Sequence, residues 1–188
     1  MRLPTDGEIV ALYQRYHTPP HIQDHMRLVA AIALELGQYH QVHTGLLDAA
    51  AKVHDLVRIP EQWPYLPTPI VTPQPHAEIN YQLLVNDFPE VAAVVRPHSL
   101  MTILQADPFP SVEARLVYYA DKRANNATIV TLQQRIDLGN ERWRVTPEQD
   151  RRAELLPLLL TLEQEIFRPI PYAPTNLQTH VTQAATPH

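Results

Sequence analysis

Apolar residues recur at intervals of three and four along most of this chain, as they do on the buried face of an amphipathic helix. Convincing alternation of apolar and polar positions, the pattern of a strand, does not occur in the sequence. The pattern therefore predicts an all-α fold, with a kink or break at Pro157. The predicted helices run from the Thr5-x-x-Glu8 capping box to Tyr16, from Pro20 to a C-terminal Gly37, from a Thr44 cap into His54-Asp55, from His76 to Leu84, from Val91 to His98, from Ala114 to about Asn125, from Leu132 to Trp143, and from Pro147 to Phe167.

Proline-bearing segments separate these helices. Six prolines between positions 60 and 75 exclude a regular helix, so this stretch is predicted to be a long loop, and such loops are commonly lids or binding segments. The last twenty residues contain more prolines and little apolar periodicity, and they are predicted to pack along the surface or to stay mobile. The sequence thus predicts one domain over residues 1–168 and a C-terminal tail over residues 169–188.

Composition narrows the function classes. The 188 residues are 45% hydrophobic, enough for one sizeable core, and the absence of cysteine excludes disulfides, thiolate zinc sites and cysteine nucleophiles. No apolar run approaches the ~20 residues of a membrane span, and the first residues do not resemble a secretion signal, so a cytoplasmic location is expected, with no membrane partner. The net charge of −5 and the scattered arginines argue against binding to extended nucleic acid.

Six imidazole and carboxylate side chains stand at wide intervals in the helical stretches. Mixed nitrogen and oxygen ligands of this kind favour iron, manganese, cobalt, nickel or zinc over magnesium or calcium. Consecutive helical residues project about 100° apart, so His54 and Asp55 can serve two adjacent metals, or one metal at a helix crossing. The sequence therefore predicts a metal site where helices of the bundle cross. The candidate ligands are His25, His54, Asp55, His76, His98 and Asp121.

Five segments carry a family resemblance when they are taken together and in order. They are PPHIQDHMRLVAAIALEL, AAAKVHDLVRI, HAEINYQLL, VVRPHSL and LVYYADKR, which span about residues 20 to 125. The order H…HD…H…H…D resembles the HD-domain superfamily of metal-dependent phosphohydrolases. The two extra histidines make the chain most similar to small members such as the symmetric diadenosine tetraphosphate hydrolases.

The resemblance implies a helical HD-domain bundle with a divalent metal centre that holds one or two ions. His25, His54, Asp55 and Asp121 would form the first site, and His76 and His98 would complete a second site bridged by Asp55. A metal pair lowers the pKa of a bridging water, so that a metal-bound hydroxide can attack phosphorus. Asp55, together with Arg58 and Lys122, is therefore expected to be catalytic. A single-metal nucleotidase remains an alternative.

Three cationic residues near these segments are candidates for binding substrate phosphate: Arg58, Lys122 and Arg123. His21 lies one helical turn before His25, where it could be a ligand, a partner of a ligand or a substrate contact. A further group of basic residues alternates with acidic ones and is interpreted as a solvated helix face: Arg142, Arg144, Arg151 and Arg152.

The loop over residues 60–75 joins two segments that carry candidate ligands. It is therefore expected to line or cover the entrance to the metal site, and Trp63 and Tyr65 are candidates to stack on a base. The expected partner is a small, phosphorylated, nucleotide-like substrate, and an oligomer is compatible with the sequence. Two alternatives use the same ligands: a nucleotide-sensing or scaffold protein without turnover, and a di-iron oxygenase.

Overall fold

The computed structural model describes residues 1–70, 72–147 and 149–184. Helices dominate these ranges, which confirms the predicted all-α class. No helix in this part of the chain is both long and apolar enough to span a bilayer. The helices are α1 (Asp6–Arg15), α2 (Pro20–Gly37), α3 (Thr44–Val53), α4 (His76–Leu84), α5 (Pro89–Val95), α6 (Val112–Arg123), α7 (Leu132–Trp143), α8 (Arg152–Phe167) and α9 (Leu177–Ala184). Short 3₁₀ turns cover Pro60–Tyr65, Arg96–His98, Leu100–Leu104 and Pro174–Asn176, and a small ribbon pairs β1 (Ala124–Asn125) with β2 (Thr128–Ile129).

Helix α2 is the centre of the bundle. It packs against α3 and α6, and its apolar face, which includes Met26, Val29 and Ile32, is fully buried. Helix α3 carries three small buried residues, Ala49–Ala51, which allow its neighbours to approach closely. The end of α3 thereby lies near His25 in the N-terminal half of α2 and near Asp121 close to the C-terminal end of α6.

Gly37 has a different role from the predicted one. The sequence indicated a left-handed helix terminus there, but the residue is the last helical residue of α2 and its φ is not positive. A Cβ at this position would lie 2.7 Å from a methyl carbon of Leu47 on α3. The absence of a side chain is therefore needed for the close packing of α2 on α3, and not for the turn.

Other boundaries differ from the prediction for local reasons. The cap of α3 is His43, whose Nδ1 accepts a hydrogen bond from the Leu46 amide at 3.1 Å, and not Thr44. Helix α6 ends at Arg123 because the chain turns into the ribbon, where Asn126 has a positive φ of 53°. Helix α8 begins at Arg152 and continues without a break through Pro157.

The C-terminal segment contains a helix that the sequence analysis did not predict. On α9, Leu177 is fully buried and Val181 is 6% exposed, and the helix packs against α2. Before it, the Tyr172 hydroxyl donates a hydrogen bond of 2.8 Å to the buried carboxylate of Glu35 on α2. The apolar positions here are too few to give a clear helical period, because only one side of a short helix touches the core. The division into residues 1–168 and 169–188 remains a prediction.

Candidate metal centre

The His54-Asp55 pair lies in the turn that follows α3, and both residues are fully buried. His54 is the residue after the last helical position, and its Nδ1 lies 2.8 Å from the carbonyl oxygen of Ala51. Because a backbone carbonyl can only accept, Nδ1 carries the proton and Nε2 keeps its lone pair. The imidazole therefore presents a metal-binding nitrogen to the interior of the bundle.

Two amides that the sequence analysis did not identify as functional hold this turn in place. The side chain of Gln62 accepts hydrogen bonds from the Arg58 and Ile59 amides at 2.8 and 3.2 Å, and it donates to the Leu56 carbonyl at 2.7 Å. The Asn80 side chain accepts from the Val57 amide and donates to the carbonyl of the same residue, at 3.0 and 2.9 Å. Both side chains are buried, at 1% and 0% exposure, so these bonds compete with no water. Sequence spacing gives no signal for such contacts, because each is specified only by the folded backbone.

One carboxylate oxygen of Asp55 faces the first group of candidate ligands. Asp55 Oδ2 lies 3.8 Å from His25 Nε2 and 3.5 Å from His54 Nε2. On the other side of the group, Asp121 Oδ1 lies 3.0 and 3.7 Å from the same two nitrogens. Helices α2 and α6 and the turn after α3 thus bring together the four predicted residues of the first site, all of them buried.

The other oxygen of Asp55 faces the second group. Asp55 Oδ1 lies 3.4 Å from His76 Nε2 and 3.3 Å from His98 Nε2. His76 begins α4, and His98 ends the 3₁₀ turn after α5, where its Nδ1 lies 2.6 Å from the Val95 carbonyl. His98 therefore has the same tautomer as His54, with Nε2 directed at the carboxylate. The geometry makes Asp55 the common member of both groups.

Three buried atoms in these groups have no hydrogen-bond partner: His54 Nε2, Asp55 Oδ1 and His98 Nε2. An unpaired buried polar atom costs about 1–3 kcal/mol, and a folded protein rarely tolerates several that converge. A divalent cation satisfies such lone pairs at once, and neutral imidazole and carboxylate are the ligands that transition metals accept. The residues present therefore fit a bound divalent metal.

The electrostatics of the cluster favour its metal-binding protonation state. Burial alone would raise the pKa of the Asp55 and Asp121 carboxyls, but Arg58 beside the first and Lys122 beside the second hold both pKa values well below the usual range. Burial lowers the pKa of His76 to about 4, and it also lowers the pKa of His98. The carboxylates are thus ionised and these two imidazoles neutral near pH 7, the forms that bind metal.

His54 differs in the direction of its shift. Burial would lower the pKa of His54, but Asp55 and Asp121 together raise it. The two facing carboxylates thus attract positive charge to the position of His54 Nε2. The same preference makes the position suitable for a metal ion.

A cavity of about 400 Å³ opens onto the second group. His76, His98 and Asp121 lie on its floor, beside the cationic side chains of Arg58 and Lys122. The other side comes mainly from α7, α8 and their connection, which contribute both apolar residues and arginines. The apolar ones include Leu100, Leu132, Ile136, Leu155 and Leu159. A smaller cavity of about 250 Å³ lies on the other side, lined by His21, His25 and Arg58 among others. His21 is exposed and is not in either ligand group.

Of the three cations predicted to bind phosphate, two lie at the cavity. The Arg58 guanidinium contacts Asp55 Oδ2 and remains about a quarter exposed. The Lys122 ammonium contacts Asp121 and donates a hydrogen bond of 2.7 Å to the His98 carbonyl, so it ties one residue of each group together. Lys122 is only 4% exposed.

Arg123 does not fit its predicted role. Its guanidinium is committed elsewhere: it donates to Glu163 at 2.8 Å, to the Tyr119 hydroxyl at 2.5 Å, and to the carbonyls of Val130 and Pro174. The residue is 4% exposed and lines neither of the two cavities. Arg123 is one step further round α6 than Lys122, and its side chain is directed at α8 instead of the cavity. Arg123 joins α6 to α8.

The predicted lid also differs. Neither cavity is lined by residues of the 60–75 segment that the structure describes. Trp63 packs against the hydrophobic core, and Tyr65 stacks on His17 with ring centroids 3.7 Å apart, so both rings have contacts outside the two cavities. The wall of the larger cavity is instead formed by α7, α8 and their connection, which the sequence analysis interpreted in part as a solvated face.

Comparison with known proteins gives one match. The HD domain family model matches residues 22–126, which is more than half of the chain and contains all six candidate ligands. The chain matches none of the curated proteins and none of the solved structures with which it was compared. The helical bundle, the order of the histidines and aspartates, and their convergence agree with the match, so the chain belongs to the HD domain family.

Proposed function

We propose that this protein hydrolyses a nucleotide-like phosphomonoester or phosphoanhydride with the help of two divalent cations. HD domains are generally metal-dependent phosphohydrolases, which supports the reaction class. The observation that carries the proposal is the position of Asp55, which turns one oxygen to each histidine group at the floor of a cation-lined cavity.

The donor atoms divide into two sets of different character. His25, His54, Asp121 and Oδ2 of Asp55 offer four ligand atoms, the number that a four-coordinate ion would take. His76, His98 and Oδ1 of Asp55 offer only three, and they face the cavity, so positions remain there for water and for substrate oxygens. Cations bound at these sets would lower the pKa of a coordinated water and offset the charge of a phosphoryl group.

The residues around the sets have separate tasks in this proposal. Arg58 orients Asp55 and offers the rest of its guanidinium to a phosphate at the cavity edge. Lys122 fixes Asp121 against the turn that carries His98, and so keeps the two sets in register. The apolar wall formed by α7 and α8 excludes water and accommodates the ring part of a nucleotide-like substrate.

Two other functions would use the same ligands: phosphate-ligand sensing without turnover, and oxygen activation by a di-iron pair. The discriminating experiment is a hydrolysis screen over nucleoside mono-, di- and triphosphates and dinucleotides, with Mn²⁺ or Fe²⁺, read both by inorganic phosphate release and by chromatography of the nucleotide products. We expect hydrolysis of at least one compound, and we expect His54→Ala to abolish both hydrolysis and metal binding. If the wild-type protein hydrolyses none of them under any metal, the sensing and oxygenase functions take precedence.

Arg58→Ala tests the phosphate contact separately. Loss of a charge-assisted hydrogen bond of about 2–3 kcal/mol should lower activity by about 10²-fold. Metal content should stay normal, because Arg58 supplies no ligand atom and a bound cation would itself keep Asp55 ionised. Arg115→Ala is the matched control, since Arg115 is an exposed arginine outside both cavities. Turnover that survives Arg58→Ala on every substrate would remove the phosphate role from this residue.

A further inference from the structure

Arg135 and Arg142 lie seven residues apart on α7, which is two helical turns, so their side chains project from the same face. Both residues line the 400 Å³ cavity, and both also line the smaller cavity beside His25. Arg58 is shared by the two cavities in the same way. Three guanidinium groups therefore stand where the two cavities meet, and two of them come from a helix beyond the residues of the family match.

The two α7 arginines have no counter-charge within the described residues. No ion pair joins either of them to a carboxylate in that part of the chain, and the buried Nε of Arg135 has no hydrogen-bond partner. Arg142 donates one hydrogen bond of 3.2 Å, to the neutral side-chain oxygen of Asn125.

Neighbouring arginines at the same cavity differ in this respect. Arg151 lies 2.5 Å from a carboxylate oxygen of Glu154, and Arg152 lies 2.8 Å from one of Asp137. The basic residues interpreted as a solvated helix face thus have balancing carboxylates at Arg151 and Arg152, whereas Arg142 is exposed but has none within the described residues. At this cavity, Arg135 and Arg142 thus differ from Arg58, Arg151 and Arg152, each of which has a carboxylate partner.

Positive charges gathered in this way repel one another. Burial lowers the pKa of Arg142, and the charges of Arg135 and Arg58 lower it further. An anion between them removes the repulsion, and the planar fork of N–H donors in a guanidinium matches the oxygens of a phosphate. The net charge of the chain is −5, so this positive cluster is a local feature and not part of a generally basic surface.

We propose that Arg135 and Arg142 bind a second phosphate group of the substrate, distinct from the group that is hydrolysed beside Asp55. This inference rests on the proposed function, since it assigns the reacting phosphate to the metal-binding residues and Arg58. It restricts the substrate class to compounds with two or more linked phosphates. Phosphomonoesters with a single phosphate leave Arg135 and Arg142 without a ligand.

The test measures binding by titration calorimetry on the metal-loaded, full-length protein. The probes are adenosine 5′-(α,β-methylene)diphosphate, whose phosphorus atoms are joined by a carbon bridge that cannot be hydrolysed, and adenosine monophosphate. We expect Arg135→Gln and Arg142→Gln each to weaken binding of the diphosphate analogue by about 10-fold or more, with less than about a twofold change for the monophosphate. Arg115→Gln, which removes the same charge at a remote exposed site, should change neither affinity.

The outcomes separate this inference from the proposed function. The second phosphate site is contradicted if both variants bind the diphosphate analogue as tightly as wild type, or if their affinity for the two probes falls by the same factor. This holds even where the hydrolytic activity is intact. If wild type shows no phosphate release but the variants lose the diphosphate selectively, the binding site stands and the hydrolytic function falls. Circular dichroism of each variant establishes that it is folded.

Discussion

Asp55 is the residue on which the arrangement of the cluster depends. Its side chain is fully buried, and its two oxygens face different histidine groups 3.3–3.8 Å away. Rotation of the carboxylate would therefore move an oxygen away from at least one of the groups. Arg58 lies beside the oxygen that faces the first group and keeps the carboxyl ionised. A neutral asparagine at this position would keep the shape of the side chain but would lose the charge that offsets two cations.

His98→Ala tests whether the second group holds its own metal. The substitution removes one of three protein donors there and none of the four in the first group, so bound metal should fall from about two equivalents to about one. Elemental analysis after purification in manganese or iron measures this directly. His17→Asn is the control, because His17 is an exposed histidine outside both groups and asparagine tolerates its φ of 49°. One equivalent in wild type that is unchanged in His98→Ala would favour a single-metal centre.

At the scale of helices, the sequence predicted the elements that have a periodic apolar face, but not the packing that depends on which helices meet. The long apolar faces of α2 and α6 have a clear period, and the order of His25, His54-Asp55 and Asp121 along the chain indicated the cluster that the structure assembles. The wall of the cavity was not predicted. It depends on how α7 and α8 fold back over the cluster, and the spacing of Arg135 and Arg142 shows a shared face but not what that face meets.

Tyr13 illustrates how single contacts join the helices. Its hydroxyl donates a hydrogen bond of 2.5 Å to the Lys52 carbonyl, which fastens α1 to the end of α3 just before His54. Burial raises the pKa of Tyr13 from 10 to about 12. As pH rises above 10, the unfolded chain loses this proton first, so the folded state becomes less stable between pH 10 and 12.

The difference in free energy of unfolding between wild type and Tyr13→Phe should therefore become smaller as pH rises. Near pH 8 the variant should be less stable by about 1 kcal/mol, the value of one hydrogen bond. By about pH 11 the ionisation penalty of the wild-type tyrosine, about 1.4 kcal/mol per pH unit, should cancel that difference. Urea unfolding of both proteins at pH 8, 10 and 11 measures this difference. The other buried tyrosines are present in both proteins, so their effects cancel. If the difference in free energy of unfolding is the same at all three pH values, the role of the Tyr13 proton is contradicted.

In the molecule as a whole, the C-terminal segment helps to hold the bundle around the metal centre. Arg123 on α6 bonds Glu163 on α8 and the Pro174 carbonyl in the segment before α9, so one buried guanidinium connects three parts of the chain. Tyr172 and Glu35 tie the same segment to α2. Glu35 lies ten residues after His25, about 15 Å along α2, so these contacts stabilise the fold without touching the ligands.

Leu177→Ala tests whether the fold needs this segment. Leu177 is fully buried on α9, and truncating a buried leucine costs about 3 kcal/mol through lost burial and the cavity that remains. Leu160→Ala is the matched control: Leu160 is 42% exposed on α8, so the same truncation should cost no more than about 0.5 kcal/mol. Urea unfolding gives both values, and metal content should equal that of wild type in both variants because neither side chain lies in a ligand group. If both substitutions cost equally little, α9 does not contribute to the core, and residues 169–188 behave as the surface or mobile tail that the sequence predicted.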